Sequence, residues 1–294
     1  IVLYENMRTV VYVPFYLALV RGDWAAAGID VSVQTSPNTP ETAQGLIDGR
    51  ADVSWGGPMR VMLHHDKDRD CPLVCFAQVV ARDPSILVGR EANDRFRFAD
   101  LVGKRVGAMT EVPTPWMTLQ DDICCAGVDL NAIHWTKDQS MAACAAALAA
   151  GDLDVAQLFE PHVDPLVQSG AGHIWRRCAL RGDSAWTSFY TTRAFTQAQP
   201  ETCRALVRGI ESALAVLHAE TPASVAEMVI DYFPDLSIEA LARMIDGYRA
   251  SGLWVRTTGL PVEAFVRLKA AMISGGLIRY DAPYDHLVVT DLPD

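Results

Sequence analysis

Two arginines and four aromatic residues are the side chains in this sequence best suited to hold a small ligand. Arg8 and Arg82 can each pair with a carboxylate or a sulfonate through the two parallel hydrogen bonds of a guanidinium group. The aromatic residues can stack on a flat ring, and they are Tyr12, Trp55, Trp116 and Trp186. Both residue types also have interpretations that involve no ligand. Most arginines are solvated surface groups, and a large aromatic residue is as often part of a core as part of a binding pocket.

Backbone groups offer a second way to bind an anion. Gly56 and Gly57 precede Pro58, which suits the first turn of a helix, so backbone N–H groups can approach a ligand at a helix N-terminus. Thr110 and Thr114 can provide the same kind of contact from a later part of the chain. These features favour a ligand that carries a negatively charged group.

A near repeat indicates how these residues are positioned. Residues 46–58, LIDGRADVSWGGP, return as residues 148–161, LAAGDLDVAQLFEP, with four identical positions 102 residues apart. In each copy a helix reaches a glycine that can adopt positive φ, a short apolar strand follows, and a proline opens the next helix. We therefore predict two α/β units with parallel strands. Ligands bind at the carboxyl ends of such strands, so two facing units predict a cleft.

The loops that leave the predicted strands supply the candidate ligand site. Glu160 has two interpretations, since its carboxylate can accept a hydrogen bond from a ligand amine or cap its own helix. No residue is predicted to be catalytic. The predicted ligand-binding set is Arg8, Thr9, Tyr12, Asn38, Trp55, Gly56, Gly57, Gln78, Arg82, Thr110, Glu111, Thr114, Trp116, Glu160, His162 and Trp186.

Composition excludes several classes of partner. The chain has 294 residues, of which 50% are hydrophobic and 21% charged, as in ordinary folded proteins. Its formal charge of −11 disfavours nucleic acid and anionic lipid. The longest apolar run, residues 10–20, is shorter than the roughly 20 residues that a membrane-spanning helix needs. A start at Ile1 fits either a processed mature protein or a trimmed chain, and no signal peptide is visible.

The seven cysteines do not suggest a disulfide framework, because their number is odd and Cys124 adjoins Cys125. Most are expected to be buried as small hydrophobic residues, and cysteine usage alone favours a reducing compartment. The acidic run at residues 66–70 has the spacing of a calcium loop, but Cys71 and Ala77 stand where that loop needs glycine and glutamate. Neither a metal nor a cofactor is predicted.

An ordered set of segments resembles the periplasmic substrate-binding proteins of ABC importers. The segments are VYVPFYLALVRGDWAAAGIDVSV from residue 11, GRADVSWGGP, FADLVGKRVGAMT and DVAQLFEPHVDPL. They are most similar to the branch that binds aliphatic sulfonates, taurine and thiamine pyrimidine precursors. The resemblance implies a type II-like, two-lobed α/β fold with a mostly parallel sheet flanked by helices in each lobe and a helical C-terminal part. Lobe I is then expected at residues 1–88 and 187–294, lobe II at 89–186, and hinge strands near 86–88 and 185–189.

The same resemblance implies a function and partners. A protein of this family is expected to be a monomer in the periplasm that clamps a small organic ligand and delivers it to a membrane-embedded ABC permease. From the predicted loops, we expect an aromatic or heteroaromatic molecule, or an organic sulfonate or carboxylate, with a pyrimidine as the second choice.

Enzymes on the same fold are the alternative. In fungal pyrimidine synthases, the catalytic lysine and histidine fall on Gly56 and Arg60 of this chain. An aryl-sulfinate desulfinase needs a nucleophilic cysteine near the first strand, whereas the first cysteine here is Cys71.

Overall fold

Two five-stranded sheets form the framework of the protein in the computed structural model, which describes residues 1–110 and 112–292 and, of residues 39 and 40, only the backbone. The first sheet has the order β2-β1-β3-β10-β4 and the second has the order β7-β6-β8-β5-β9. The strands of the first sheet are β1 (Val2–Glu5), β2 (Ser32–Thr35), β3 (Val53–Gly56), β4 (Leu73–Val80) and β10 (Thr187–Thr192). Those of the second are β5 (Ile86–Gly89), β6 (Arg105–Gly107), β7 (His134–Thr136), β8 (Val155–Leu158) and β9 (His173–Arg177).

Helices flank both sheets, and the regular secondary structure after β10 is helical. We call the first sheet with its helices lobe I and the second sheet with its helices lobe II. The helices before β10 are α1 (Val13–Val20), α2 (Asp23–Ala26), α3 (Thr39–Ile47), α4 (Pro58–Lys67), α5 (Pro113–Cys125), α6 (Met141–Ala150) and α7 (Asp164–Gln168). Those after β10 are α8 (Arg193–Ala198), α9 (Pro200–Ala219), α10 (Pro222–Val229), α11 (Ile238–Ala250), α12 (Val262–Ser274) and α13 (Tyr284–Leu287).

The strand pairing confirms the predicted two-lobed α/β fold. In lobe I, β1 pairs in parallel with β2 and β3, and in lobe II, β6 pairs in parallel with β7 and β8. One antiparallel strand is inserted into each sheet, β10 in the first and β5 in the second. The glycines of the repeat stand just after α3 and at the end of α6 with φ of 71° and 84°, as the sequence predicts for Gly49 and Gly151.

The chain passes between the sheets through residues 81–85 and 178–186. The first passage separates β4 from β5, and the second separates β9 from β10. The sequence prediction assigned residues 86–88 to lobe I, but these residues pair with β8 and β9 in the second sheet. The difference arises because an apolar run predicts a buried strand but does not identify its partner strands.

Aromatic packing holds the core of lobe I. Phe15 stacks on Trp55 with ring centroids 4.3 Å apart, and Phe189 packs edge-on against Phe15 at 5.4 Å. The indole N–H of Trp24 donates to Leu206 O at 3.1 Å, which joins α2 to α9. In the described part of the chain, no helix is long and apolar enough to cross a membrane.

Candidate ligand-binding cleft

A cavity lies between the two lobes, next to the ends of β1, β3 and β8. From lobe I, the segment after β1 contributes Asn6, Met7, Thr9, Val11 and Tyr12. The cavity volume is about 30 Å³, enough for one or two water molecules. The lobes are therefore nearly closed on each other in this structure.

Other segments complete the cavity wall. The turn after β3 contributes Gly57, the first turn of α4 contributes Met59 and Arg60, and the passages between the sheets contribute Pro84 and Trp186. The remaining lining residues are Thr187 at the start of β10 and, from lobe II, Val112, Thr114 and Phe159. Both lobes thus supply polar and apolar groups to one enclosed site.

Five of the predicted ligand-binding residues line this cavity: Thr9, Tyr12, Gly57, Thr114 and Trp186. Thr9 is buried, and its hydroxyl accepts a hydrogen bond from the N–H of Val11 at 3.4 Å. Burial raises the pKa of Tyr12, although nearby Arg60 acts in the opposite direction. The role of these five residues in ligand binding remains a prediction.

Arg60 and Asn6 line the cavity but were not in the predicted set. Arg60 is only 7% exposed, and its Nε has no hydrogen-bond partner in the described residues. Asn6 is 9% exposed, and its Oδ1 also lacks a partner. The structure explains the glycine at position 56, because a Cβ there would overlap the guanidinium group of Arg60.

The two predicted arginines lie elsewhere and have carboxylate partners. Arg8 pairs with Glu5 at 2.6 Å and lies over the rings of Tyr16 and Tyr232, outside the cavity wall. Arg82 is in the first passage between the sheets, where it pairs with Asp183 at 2.8 Å. The structure therefore gives both guanidinium groups a protein partner.

Three other predicted residues are structural in this arrangement. Trp55 is fully buried in the aromatic core of lobe I and is not part of the cavity wall. Gly56 lies within β3. Gln78 is buried, and its side-chain amide donates to Val80 O at 3.0 Å and Ser184 O at 2.8 Å, which ties β4 to the second passage.

The remaining predicted residues lie outside the cavity wall or outside the described residues. Asn38 caps α3 by accepting from Glu41 N at 3.0 Å, and Thr110 accepts from Asp138 N at 3.0 Å. Trp116 packs edge-on against Trp135 at 4.7 Å. The last three predicted residues are Glu160 and His162, which follow β8, and Glu111, which lies outside the described residues.

Glu160 acts as a helix cap. Its carboxylate accepts a hydrogen bond from Asp164 N at 2.9 Å, at the start of α7. Of the two interpretations that the sequence allows, a ligand contact or a helix cap, this contact corresponds to the cap. Its own N–H donates to the hydroxyl of Tyr248 in α11 at 3.0 Å. Burial raises the pKa of Glu160 to about 7, against the opposing effect of the Asp164 N–H.

Two helix N-termini and one arginine bring positive charge to the cavity, although the whole chain is acidic. Helices α4 and α5 begin at the cavity, and neither has an acidic residue in its first turn or a side-chain cap. The partial positive charges of these helix N-termini therefore remain available to a ligand. Among the described lining residues, Arg60 is the one charged side chain. The described residues contain no cluster of three or more histidine, cysteine or acidic side chains that can hold a metal.

Comparison with known proteins is consistent with this architecture. Residues 9–223 match the family model described as NMT1/THI5 like. YtlA of Bacillus subtilis (strain 168), to which a binding role is ascribed, is 22% identical over 292 residues, which cover 99% of this chain and 87% of YtlA. The 4-amino-5-hydroxymethyl-2-methylpyrimidine phosphate synthase of Schizosaccharomyces pombe is 27% identical over 145 residues, or 49% of this chain and 40% of the synthase.

A solved structure shares the fold over nearly the full length. The periplasmic aliphatic sulphonate binding protein SsuA from Escherichia coli superposes with a TM-score of 0.79 at 14% sequence identity. The superposition covers 98% of this chain and 91% of SsuA.

Proposed function

This chain belongs to the NMT1/THI5-like family, and on that premise we propose that it is the solute-binding component of an ABC importer, closing its two lobes around a small organic molecule. The observation that carries this proposal is the cavity between the lobes at the carboxyl ends of β1, β3 and β8. In open α/β sheets this is where ligands bind. The binding role ascribed to YtlA and the sulphonate-binding role of SsuA support the same function.

The composition of the cavity wall favours binding over catalysis. Its described residues include no thiol, imidazole, amine or carboxylate that can act as a nucleophile or a general base. At the positions that correspond to the catalytic lysine and histidine of the synthases, this chain has Gly56 and Arg60. Cys71, the first cysteine, is buried away from the cavity wall. A pyrimidine synthase or a desulfinase is therefore the weaker alternative.

Ligand entry requires the lobes to separate, because the closed cavity is smaller than a drug-sized or sugar-sized molecule. Residues 81–85 and 178–186 are the covalent links between the sheets, and we propose that rotation about them opens the cleft. Contacts such as Gln78 with Ser184 and Arg82 with Asp183 hold the two links side by side. They allow the two passages to move as one hinge.

The proposed partners follow from this role. The protein acts as a monomer in the periplasm and presents its closed form to a membrane-embedded permease. The periplasmic location named for SsuA supports this placement. Light scattering after size-exclusion chromatography tests the monomeric state, and a stable dimer would contradict it.

A thermal-shift screen followed by small-angle scattering tests the binding function. A ligand at 100 times its dissociation constant adds about 2.7 kcal/mol to the stability of the folded state, which a melting curve detects. Any compound that stabilises the protein is then expected to reduce its radius of gyration. Scattering that never changes, together with turnover of a sulfinate or pyrimidine substrate, would refute the proposal in favour of an enzyme.

A further inference from the structure

Arg60 is a buried cation for which the described residues supply no counter-ion. It is the third residue of α4, it is 7% exposed, and it forms no salt bridge with any described carboxylate. Its titratable neighbours Tyr12 and Tyr190 are neutral phenols, because burial raises the pKa of both. Glu5, the acidic residue at the end of β1, is already bound to Arg8.

A second buried arginine shows how this fold normally accommodates such a charge. The side chain of Arg181 is largely buried, but it is bound to Asp121 at 2.6 Å and to Asp122 at 3.1 Å. An arginine cannot lose its proton at physiological pH, so a buried guanidinium needs an anion nearby. Arg181 receives two from the protein, and Arg60 receives none from residues 1–110 and 112–292.

The surroundings of Arg60 are suited to an anion from solution. The N-termini of α4 and α5, one from each lobe, meet at the same cavity without an acidic residue in the first turn of either helix. The unpartnered Oδ1 of Asn6 provides a nearby acceptor for a donor group on the ligand. Apolar side chains, among them Met59, Phe159 and Trp186, form the rest of the wall.

We propose that the ligand is an organic molecule with a single anionic head group, a carboxylate or a sulfonate, and that Arg60 is its counter-ion. The head group binds between Arg60 and the two helix N-termini, while the apolar side chains enclose the body of the ligand. Methionine side chains such as Met59 adapt readily to different shapes, which suits a site that closes on the ligand. This inference rests on the proposed binding function and identifies Arg60, not Arg8, as the anion-binding arginine.

The first test needs no ligand. We expect Arg60→Met to leave the melting temperature of the free protein unchanged or to raise it, because the substitution removes an uncompensated buried charge. Arg181→Met is the matched control and should lower the melting temperature, because it leaves the carboxylates of Asp121 and Asp122 without their cationic partner. A fall for Arg60→Met as large as that for Arg181→Met would show that Arg60 has a structural partner and would overturn the inference.

The second test uses matched pairs of acids and neutral amides: benzenesulfonate with benzenesulfonamide, benzoate with benzamide, and propane-1-sulfonate with its sulfonamide. We expect only acids to stabilise the wild-type protein, and Arg60→Met to weaken the best of them by roughly 10- to 100-fold in a titration. Arg60→Lys should retain part of the affinity, and the exposed Arg208→Met should retain all of it.

The outcomes separate this inference from the proposed function. If amides stabilised wild type and Arg60→Met equally, the proposal that the ligand carries an anionic head group would be overturned, and the binding function would remain supported. A loss of acid binding in Arg8→Ala but not in Arg60→Met would assign the anion to Arg8 and also overturn the inference. If no compound bound and the radius of gyration stayed constant, the binding function would fail and the inference with it.

Discussion

Arg243 of α11 and Asp164 of α7 connect the two lobes through a pair of parallel hydrogen bonds of 2.9 and 2.8 Å. Helix α11 packs on lobe I, and α7 packs on β9 of lobe II. Beside this ion pair, the hydroxyl of Tyr248 in α11 accepts from the N–H of Glu160. These contacts exist only when the lobes are close together, so they stabilise the closed form relative to an open one.

Removing the interlobe ion pair should open the free protein. We expect Arg243→Ala and Asp164→Asn to increase the radius of gyration without ligand, while the free energy of unfolding changes by less than about 1 kcal/mol because the arginine side chain is 46% exposed. Arg50→Ala is the control, since Arg50 pairs with Glu41 and Asp48 inside lobe I. Identical scattering curves for all these proteins would contradict a role in closure.

Glu160 should make stability depend on pH. Its folded pKa, about 7, lies above its ordinary value of 4.5, so the folded protein binds the proton more tightly than the unfolded chain. This contribution is fully present below about pH 4.5 and is lost as the pH rises towards 7. At pH 8 we expect Glu160→Gln to be more stable than wild type by up to about 3 kcal/mol, while at pH 4.5 the two should be similar.

Urea denaturation at a series of pH values measures this effect. The amide oxygen of glutamine can still accept from Asp164 N, so the cap of α7 should survive the substitution. Glu227→Gln is a suitable control, because Glu227 lies on α10, away from the interlobe contact. The prediction would be wrong if Glu160→Gln and wild type lost stability in parallel between pH 4.5 and 8.

Thr118 supports a buried carboxylate at the first passage between the sheets. Its hydroxyl donates to Asp83 at 2.8 Å, and Ser85 supplies two further donors. We expect Thr118→Val to destabilise the protein by about 1–3 kcal/mol, because a buried carboxylate oxygen loses its partner.

Loss of the Thr118 hydroxyl should also change the pKa of Asp83. Burial already raises the pKa of Asp83 to about 6, and the hydrogen bond from Thr118 acts to lower it. Thr118→Val should therefore raise this pKa further, which NMR titration of the carboxyl carbon can follow. Thr118→Ser keeps the hydroxyl and should resemble wild type, and a Thr118→Ser protein as unstable as Thr118→Val would point to lost packing instead.

The cysteines should divide into two reactivity classes. Cys124 and Cys125 are exposed at the end of α5, whereas the other five are buried. Burial also raises the pKa of Cys75 and of Cys203 to about 12, which suppresses their thiolate forms. We expect Ellman's reagent to modify two thiols in the native protein and all seven after unfolding.

A double Cys124→Ser, Cys125→Ser variant provides the control for this assignment. It should show no rapid reaction when folded, and its unfolded form should show five reactive thiols. Rapid modification of the folded variant would contradict the burial of the remaining cysteines.

Local patterns predicted the two α/β units, and the resemblance to substrate-binding proteins implied their two-lobed arrangement. The glycines after α3 and at the end of α6, and Pro58 at the start of α4, mark turns that depend only on nearby backbone geometry. Pro161 of the second repeat does not open a helix, because α7 begins at Asp164. The same patterns placed the cleft at the strand ends and identified two helix N-termini as candidate anion sites. The lobe boundary was less accurate, because strand pairing joins residues distant in sequence.

Long-range packing determined which side chains lie in the core and which line the cavity. Trp55 and Trp186 are both tryptophans next to strand ends, yet Trp55 stacks on Phe15 in the core and Trp186 lines the cavity. For the arginines the deciding quantity is the position of the carboxylates. Glu5 stands three residues before Arg8 in the sequence, so that pair could be expected locally. The isolation of Arg60 depends on every segment folded around it, and only the tertiary structure shows that none of the described segments brings a carboxylate to it.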